Sequence, residues 1–339
     1  MKTIERVVEN LNAGLHALFA HDPDVFLIGE DIADPYGGAF KVSKGLSSRY
    51  PDRVFNTPIS EGAIIGLAGG LALSGHKPIV EIMFGDFIAL GFDQILNFAT
   101  KSVSMYGQPV AMNMVVRCPV GGNRSYGPTH SQSLQKHFIG IPNLRLYEVT
   151  PFHDNTMLLD TLVNLGMPSI LFEDKILYTQ PVYRDGVIDD LFGFHFLGTE
   201  QEFASIVPED LDVCHCLIIA PGSMVARCLT AARQVLIEDE INVQIVVPSQ
   251  LYPFPLEPLV EYITAAERVM IVEEGVAGGT WGCEVAHMIY SALWGNLKHK
   301  IRLVHSQPSI IPSSSHLERQ IIVQAEDIAN AIKAEVCGV

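Results

Sequence analysis

"RVFNTPISEGAIIGLAGGLALSGHKPIVEIMF", Arg53 to Phe84, decides the fold. "RVFNTPIS" reads as an extended segment, "EGAIIGLAGGLALSG" (61–75) as a helix and "KPIVEIMF" as a strand. Between the extended stretch and a run with almost no polar atoms stands one carboxylate, Glu61. Charged side chains are rarely buried unless something pairs with them. Glu61 is therefore either the first turn of a helix or a group kept for chemistry.

The same alternation extends to both sides. A helix over 3–20 leads to the strand "DVFLIGED" (24–31), which breaks into the Gly-rich "DPYGGAF". Downstream, "FIALGFDQILNFATKSVSMYG" (87–107) reads as one long helix, and "PVAMNMVVRCP" as a strand followed by the loop "GGNRSYGPTHSQSL". "LRLYEVTP", a helix over 153–165 and the strand "PSILFED" complete the half. Alternation of this kind predicts an α/β fold, a mostly parallel sheet with helices on both faces. From about 176 to 212 the pattern fails in a polar, turn-rich stretch. Beyond it "VCHCLIIAPG", "SMVARCLTAARQVLIEDE", "INVQIVVPSQLYPF" and "MIVEEGVAGGTWGCEVAHMIYSAL" repeat the theme, ending in the helix "AEDIANAIKAEV". The expected organisation is a first α/β domain over 1–176, a connection over 177–212 and a second, smaller α/β domain over 213–339. A chain of 339 residues is too long for one comfortable core.

Hydrophobic residues make up 48% and charged residues 18%, with a mean hydropathy of +0.25. No apolar run reaches the roughly 20 residues that span a bilayer. The N-terminal stretch lacks the basic start and continuous apolar run of a signal peptide, so the expected location is the cytoplasm. A net charge of −16 argues against nucleic acid, which demands clustered Lys and Arg. Low charge with high apolar content points to surface buried against other chains. The six cysteines form no CxxC pair. Cys214 and Cys216 flank His215 in a segment that reads as a strand, so the two thiols share one face and the imidazole the other. Buried reduced thiols fit better than a metal cluster.

Several common motifs are absent. "GVAGGTWG" (275–282) follows a strand but is not GxGxxG, and no acid follows at the ribose-binding distance. There is no GxxxxGK[ST], no nucleophile elbow and no HExxH. His130, in "GPTHSQS", lies on a Gly- and Pro-rich loop where a near-neutral imidazole serves acid/base work or simply bonds the backbone. As a helix N1 residue behind an N-cap Ser60, Glu61 favours the positive helix end by about 0.3–1 kcal/mol. That leaves its surroundings unexplained. The helix behind is nearly all Gly, Ala, Leu and Ile, open to close approach by something flat, and "EIMFGDF" delivers Met83, Phe84 and Phe87. A carboxylate beside aromatic and sulfur side chains suits a heteroaromatic ligand with one basic ring nitrogen.

"TPISE", "KPIVEIMFGDF", "FDQILNFATK", "GPTHSQS", "APGSMV" and "EEGVAGGTWGCEVA" occur in the order and spacing of a known family. From about residue 3 to 335 the chain resembles the β subunits of thiamin-diphosphate-dependent 2-oxoacid dehydrogenases (the decarboxylase component), within the transketolase-like superfamily. The resemblance implies a pyrimidine-binding domain and a transketolase C-terminal domain. It implies that Glu61 hydrogen-bonds the aminopyrimidine ring nitrogen and promotes the imino tautomer that deprotonates the thiazolium carbon. Phe87 would stack on the pyrimidine, with Met83 and Ile59 lining its pocket. Glu30, in "LIGED", matches a family acid that connects the cofactor's hydrogen-bond network, and His130 matches the family histidine near the reacting centre. The cofactor does the carbanion chemistry and the protein controls protonation and orientation.

Two departures accompany the match. The diphosphate–metal signature, GDG followed by a downstream Asn, is absent here, and relatives of this type carry it on a separate α subunit. The resemblance thus implies half an active site, thiamin diphosphate with Mg²⁺ held by an α-type partner, and two α with two β chains. The β–β contact would use the apolar helices near 61–75 and 88–105. Second, Leu165 and Met167 replace polar residues near a structural potassium site of many relatives. A lipoyl acyltransferase is the acceptor in the dehydrogenase reading. The alternatives are a carboligase subunit in a biosynthetic pathway and a non-catalytic regulatory or scaffold subunit.

Overall fold

The computed structural model describes residues 5–209 and 213–338. The chain divides into two compact units, Met1–Gly121 with Thr129–Val182, and Gly122–Pro128 with Tyr183–Val339. The expected boundaries at 1, 212 and 339, and the first two residues of the expected helix over 3–20, lie outside the described residues.

In the first unit the strands are β1 Val25–Gly29, β2 Val54–Asn56, β3 Lys77–Glu81, β4 Val115–Val120, β5 Arg145–Glu148 and β6 Ser169–Asp174. They pair in the order β5-β6-β4-β3-β1-β2, and every pairing is parallel. β4 and β6 are buried along their whole length, as strands covered on both faces must be. The helix Val7–His21 buries Val7, Leu11, Leu15, Leu18 and Phe19, a stripe at helical spacing worth about 1.5–3 kcal/mol per large side chain. It crosses the helix Asn155–Leu162 closely, because a Cβ on Gly14 would stand 3.1 Å from the Thr156 Cα. The chain runs from β1 to β2 on one side and from β3 to β4 on the other. The carboxyl ends of β1 and β3 are therefore the switch point where open parallel sheets bind ligands.

The helix Glu61–Leu73 joins β2 to β3 and carries a glycine stripe, Gly62, Gly66 and Gly69. A Cβ on Gly62 would meet the Leu90 carbonyl at 3.3 Å, one on Gly66 the Gln94 amide at 3.1 Å, and one on Gly69 the Phe98 ring. The flat partner expected at this helix is thus the protein's own segment 90–98. That segment corrects a second expectation. Instead of one long helix over 87–107, it is a 3-10 turn Gly85–Gly91 followed by a shorter helical run over 92–102 whose middle, Gln94–Ala99, is π-helical and whose end is the α turn Thr100–Ser102. Docking into the glycine stripe selects this irregular backbone over the helix that the apolar spacing suggests.

The second unit contains β7 Phe192–Leu197, β8 Phe203–Pro208, β9 Cys216–Ile219, β10 Val243–Pro248, a three-residue β11 Gln250–Tyr252, β12 Arg268–Val276 and β13 Arg302–Ser306. Six of these form the sheet β13-β12-β9-β10-β8-β7, with β13, β12, β9 and β10 parallel and β8 and β7 antiparallel. The expected connection over 177–212 is therefore mostly structure. Residues up to Val182 belong to the first unit, and β7 and β8 form a hairpin on the second sheet. Its alternation, "FGFHFL", is half-buried and masked by polar turns on both sides. The six cysteines are all free thiols, and burial pushes Cys214 up to about 11 and Cys228 up to about 12. No helix among the described residues is long and apolar enough to cross a membrane.

Candidate active site

The residues singled out in the first unit all follow carboxyl ends of parallel strands. Glu30 follows β1, Ile59 and Glu61 follow β2, Met83 and Phe87 follow β3, and His130 follows β4. Glu30 and Glu61 are 8% and 5% exposed, so two acids are withdrawn from water together. Burial first, and then the charge of Glu61, raises the Glu30 pKa against the pull of the Ser60 amide. Glu30 Oε1 is buried without a hydrogen-bond partner, and no described residue donates to the Glu61 carboxylate. Ser60 occupies the N-cap position but makes no side-chain capping bond, contrary to the simple helix-start reading. Ile59 is 82% exposed, an apolar side chain presented rather than packed.

His130 sits in a second cluster. Its ring meets Phe84 edge-on with centroids 4.6 Å apart and Phe87 edge-on at 5.2 Å. Nδ1 pairs with Thr129 Oγ1 at 2.9 Å, and Nε2 has no hydrogen-bond partner among the described residues. Gln132 Nε2 donates to Asp86 Oδ1 at 2.7 Å, while Asp86 Oδ2 is buried without a partner. Thr57 Oγ1 and Ser131 Oγ are likewise buried and unpartnered. The loops after β1, β2, β3 and β4 thus each carry an unsatisfied polar atom. Native folds leave few such groups, and each needs a reason. The structure joins Glu30 to Glu61 and His130 to Phe87, with Met83 half-buried two residues after β3.

Two features were missed by the sequence reading. Lys175, directly after β6, is fully buried and its Nζ donates to the His130 carbonyl at 2.9 Å. Beneath the site, Arg117 makes a two-pronged contact with Glu173 (2.7 and 2.8 Å) and a third bond to Glu81 (2.7 Å). Glu173 also accepts from Tyr178, and Glu81 from the Ala39 amide. The only sequence signal is the charged triplet "EDK" closing a strand of otherwise apolar residues.

The Gly-rich turn of the second unit is packing, not a phosphate cradle. Glu273 fills the start of the helix Trp281–Leu293 itself, accepting from the Trp281 amide at 3.2 Å and the Gly282 amide at 2.7 Å. A Cβ on Gly282 would lie 2.9 Å from Glu273 Oε1.

The two α/β units, each built on a mostly parallel sheet, have the transketolase-like fold. Residues 7–181 match the transketolase pyrimidine-binding domain and residues 207–328 the transketolase C-terminal domain. The fold is shared with a split-gene transketolase solved as an inactive β4 tetramer, with a TM-score of 0.70 over 97% of both chains at 18% identity. The subunit beta of acetoin:2,6-dichlorophenolindophenol oxidoreductase from Cupriavidus necator is 31% identical over 97% of this chain and 96% of its own. The pyruvate dehydrogenase E1 component subunit beta of Gracilaria tenuistipitata var. liui is 31% identical over 93% and 94%. The chain belongs to the β-subunit family of the thiamin-diphosphate-dependent 2-oxoacid dehydrogenase decarboxylase components.

Proposed function

We propose that this chain forms the aminopyrimidine half of a thiamin-diphosphate site and works only with an α-type subunit that supplies the diphosphate–Mg²⁺ half. The observation that carries this reading is the pair Glu30 and Glu61, buried side by side with open hydrogen-bonding capacity at the switch point. Those residues fit the cofactor: a carboxylate for a ring nitrogen, an exposed Ile59, and Met83 and Phe87 as apolar surface. Bound there, thiamin diphosphate supplies the carbon nucleophile that a 2-oxoacid decarboxylase needs. Glu61 holds or releases a proton at the pyrimidine nitrogen, with Glu30 behind it. Phe87, Met83 and Ile59 orient the ring and exclude water. His130 presents Nε2 to the substrate or the acyl unit on its way to a lipoyl group or other acceptor.

The partner requirement draws support from the apolar surface beside the site. Leu67 is 55% exposed and Leu90 67%. Exposed apolar side chains of this kind suit an interaction surface, and we assign them to contacts with the α-type subunit and a second copy of this chain. The net charge of −16 also makes the isolated chain a poor host for an anionic cofactor. Calorimetric titration of the purified chain with thiamin diphosphate and Mg²⁺, with and without the α candidate, tests the proposal. Binding is expected only in the mixture. Micromolar binding and 2-oxoacid decarboxylation by the chain alone would refute it.

A further inference from the structure

We propose that Lys175 is a positioning residue that clamps His130 for its step in the reaction. The inference rests on the functional reading above for what His130 does, but not for how it is held. An ammonium group is costly to bury and persists only where it has partners. Lys175 is fully buried at the carboxyl end of β6, donates to the His130 carbonyl at 2.9 Å and lies 5.6 Å from the centre of the Phe84 ring. Phe84 in turn meets the His130 imidazole edge-on at 4.6 Å. Lys175 therefore fixes His130 twice, through its main chain and through the ring that packs on its side chain. Neither contact uses a ring nitrogen. Nδ1 stays with Thr129 and Nε2 stays available for proton transfer, so the clamp sets position without competing for the proton. A loop rich in Gly, Ser and Pro cannot hold an imidazole by its own stiffness. A cation fixed by the sheet can.

The test is a double-mutant cycle in the assembled complex with the α-type subunit. Lys175→Met keeps the stem and removes the donor and the charge. It is expected to lower kcat about 100-fold, the cost of misplacing a reacting group by about 1 Å, with KM for the 2-oxo acid nearly unchanged. Combined with His130→Ala it should lower kcat no further than His130→Ala alone, and Lys175→Arg should recover most of the loss. A merely structural lysine gives losses that multiply, and multiplication overturns the proposal, as does wild-type turnover in Lys175→Met. If Lys175→Met does not assemble, Lys175→Gln takes its place in the cycle. A second readout does not depend on the functional reading. In the full chain labelled at histidine, the His130 ring signal is assigned by its loss in His130→Ala, and it should move or broaden in Lys175→Met. An unmoved signal overturns the clamp even if the complex proves to have another activity. A moved signal in a complex without decarboxylase activity rejects the function and keeps the clamp.

Discussion

The buried acids at two helix starts of this molecule have opposite fates. At the helix Trp281–Leu293, Glu273 accepts two amide hydrogens of the first turn, so its charge is consumed by its own fold. At the helix Glu61–Leu73, Glu61 is equally withdrawn from water, but no described residue donates to it, and its neighbour is another carboxylate, Glu30. The Arg117 cluster repeats the first pattern, with Glu81 and Glu173 satisfied by one guanidinium. A buried acid whose hydrogen bonds are complete explains stability. One left incomplete beside a like charge detracts from stability, and its place in the fold calls for a ligand.

The largest break in this comparison should come from the satisfied side. Arg117→Met leaves Glu81 and Glu173 buried without their cation, and removing one partner of a buried pair costs about 3–5 kcal/mol. Urea denaturation should show that loss; a change below about 1 kcal/mol would mean that the cluster is not holding the sheet. Glu273→Ala should be milder, about 1–3 kcal/mol for two amides left without an acceptor, and turnover per folded complex should persist. Loss of turnover at full stability would instead make Glu273 part of the site.

Glu30→Gln should act in the other direction. Burial and Glu61 raise the Glu30 pKa in the fold, so its proton-linked stability is present below the ordinary carboxylate range and is lost as pH rises through the raised value. At neutral pH the ionised group therefore opposes folding of the ligand-free chain. The amide should raise Tm there by the equivalent of about 1 kcal/mol or less, and the gain should vanish in acid. A lower Tm at neutral pH would show that Glu30 is a stabilising structural acid.

The same contrast separates what was legible in the sequence from what was not. Strand–helix alternation gave the mostly parallel sheets, because short strand-like segments such as β4 and β6, buried along their whole length, alternate with helices such as Val7–His21 that carry a clean apolar stripe. "TPISE" and "HSQ" single out Glu61 and His130 as candidates because motifs keep their local spacing. Lys175 escaped, since a lysine at a strand end reads as solvated until the fold shows what covers it. The segment 87–107 was misread for the complementary reason. Its apolar spacing suits a helix, but the glycine stripe of the neighbouring helix, remote in register, decides its backbone. The hairpin of β7 and β8 hid in a polar stretch whose alternation is too short to stand out.

The central claim is that Glu61 is kept unpaired for the pyrimidine nitrogen. Proton exchange at the thiazolium carbon, measured in the complex of α-type subunit with wild-type chain or Glu61→Gln, tests it most directly. The substitution keeps size and a hydrogen-bonding group and removes the anion. Exchange and turnover are expected to slow by about 100-fold or more, as removal of a general acid/base does, with stability changed by less than about 1 kcal/mol. Equal exchange in the two complexes would contradict the account and leave Glu61 as a helix-end charge.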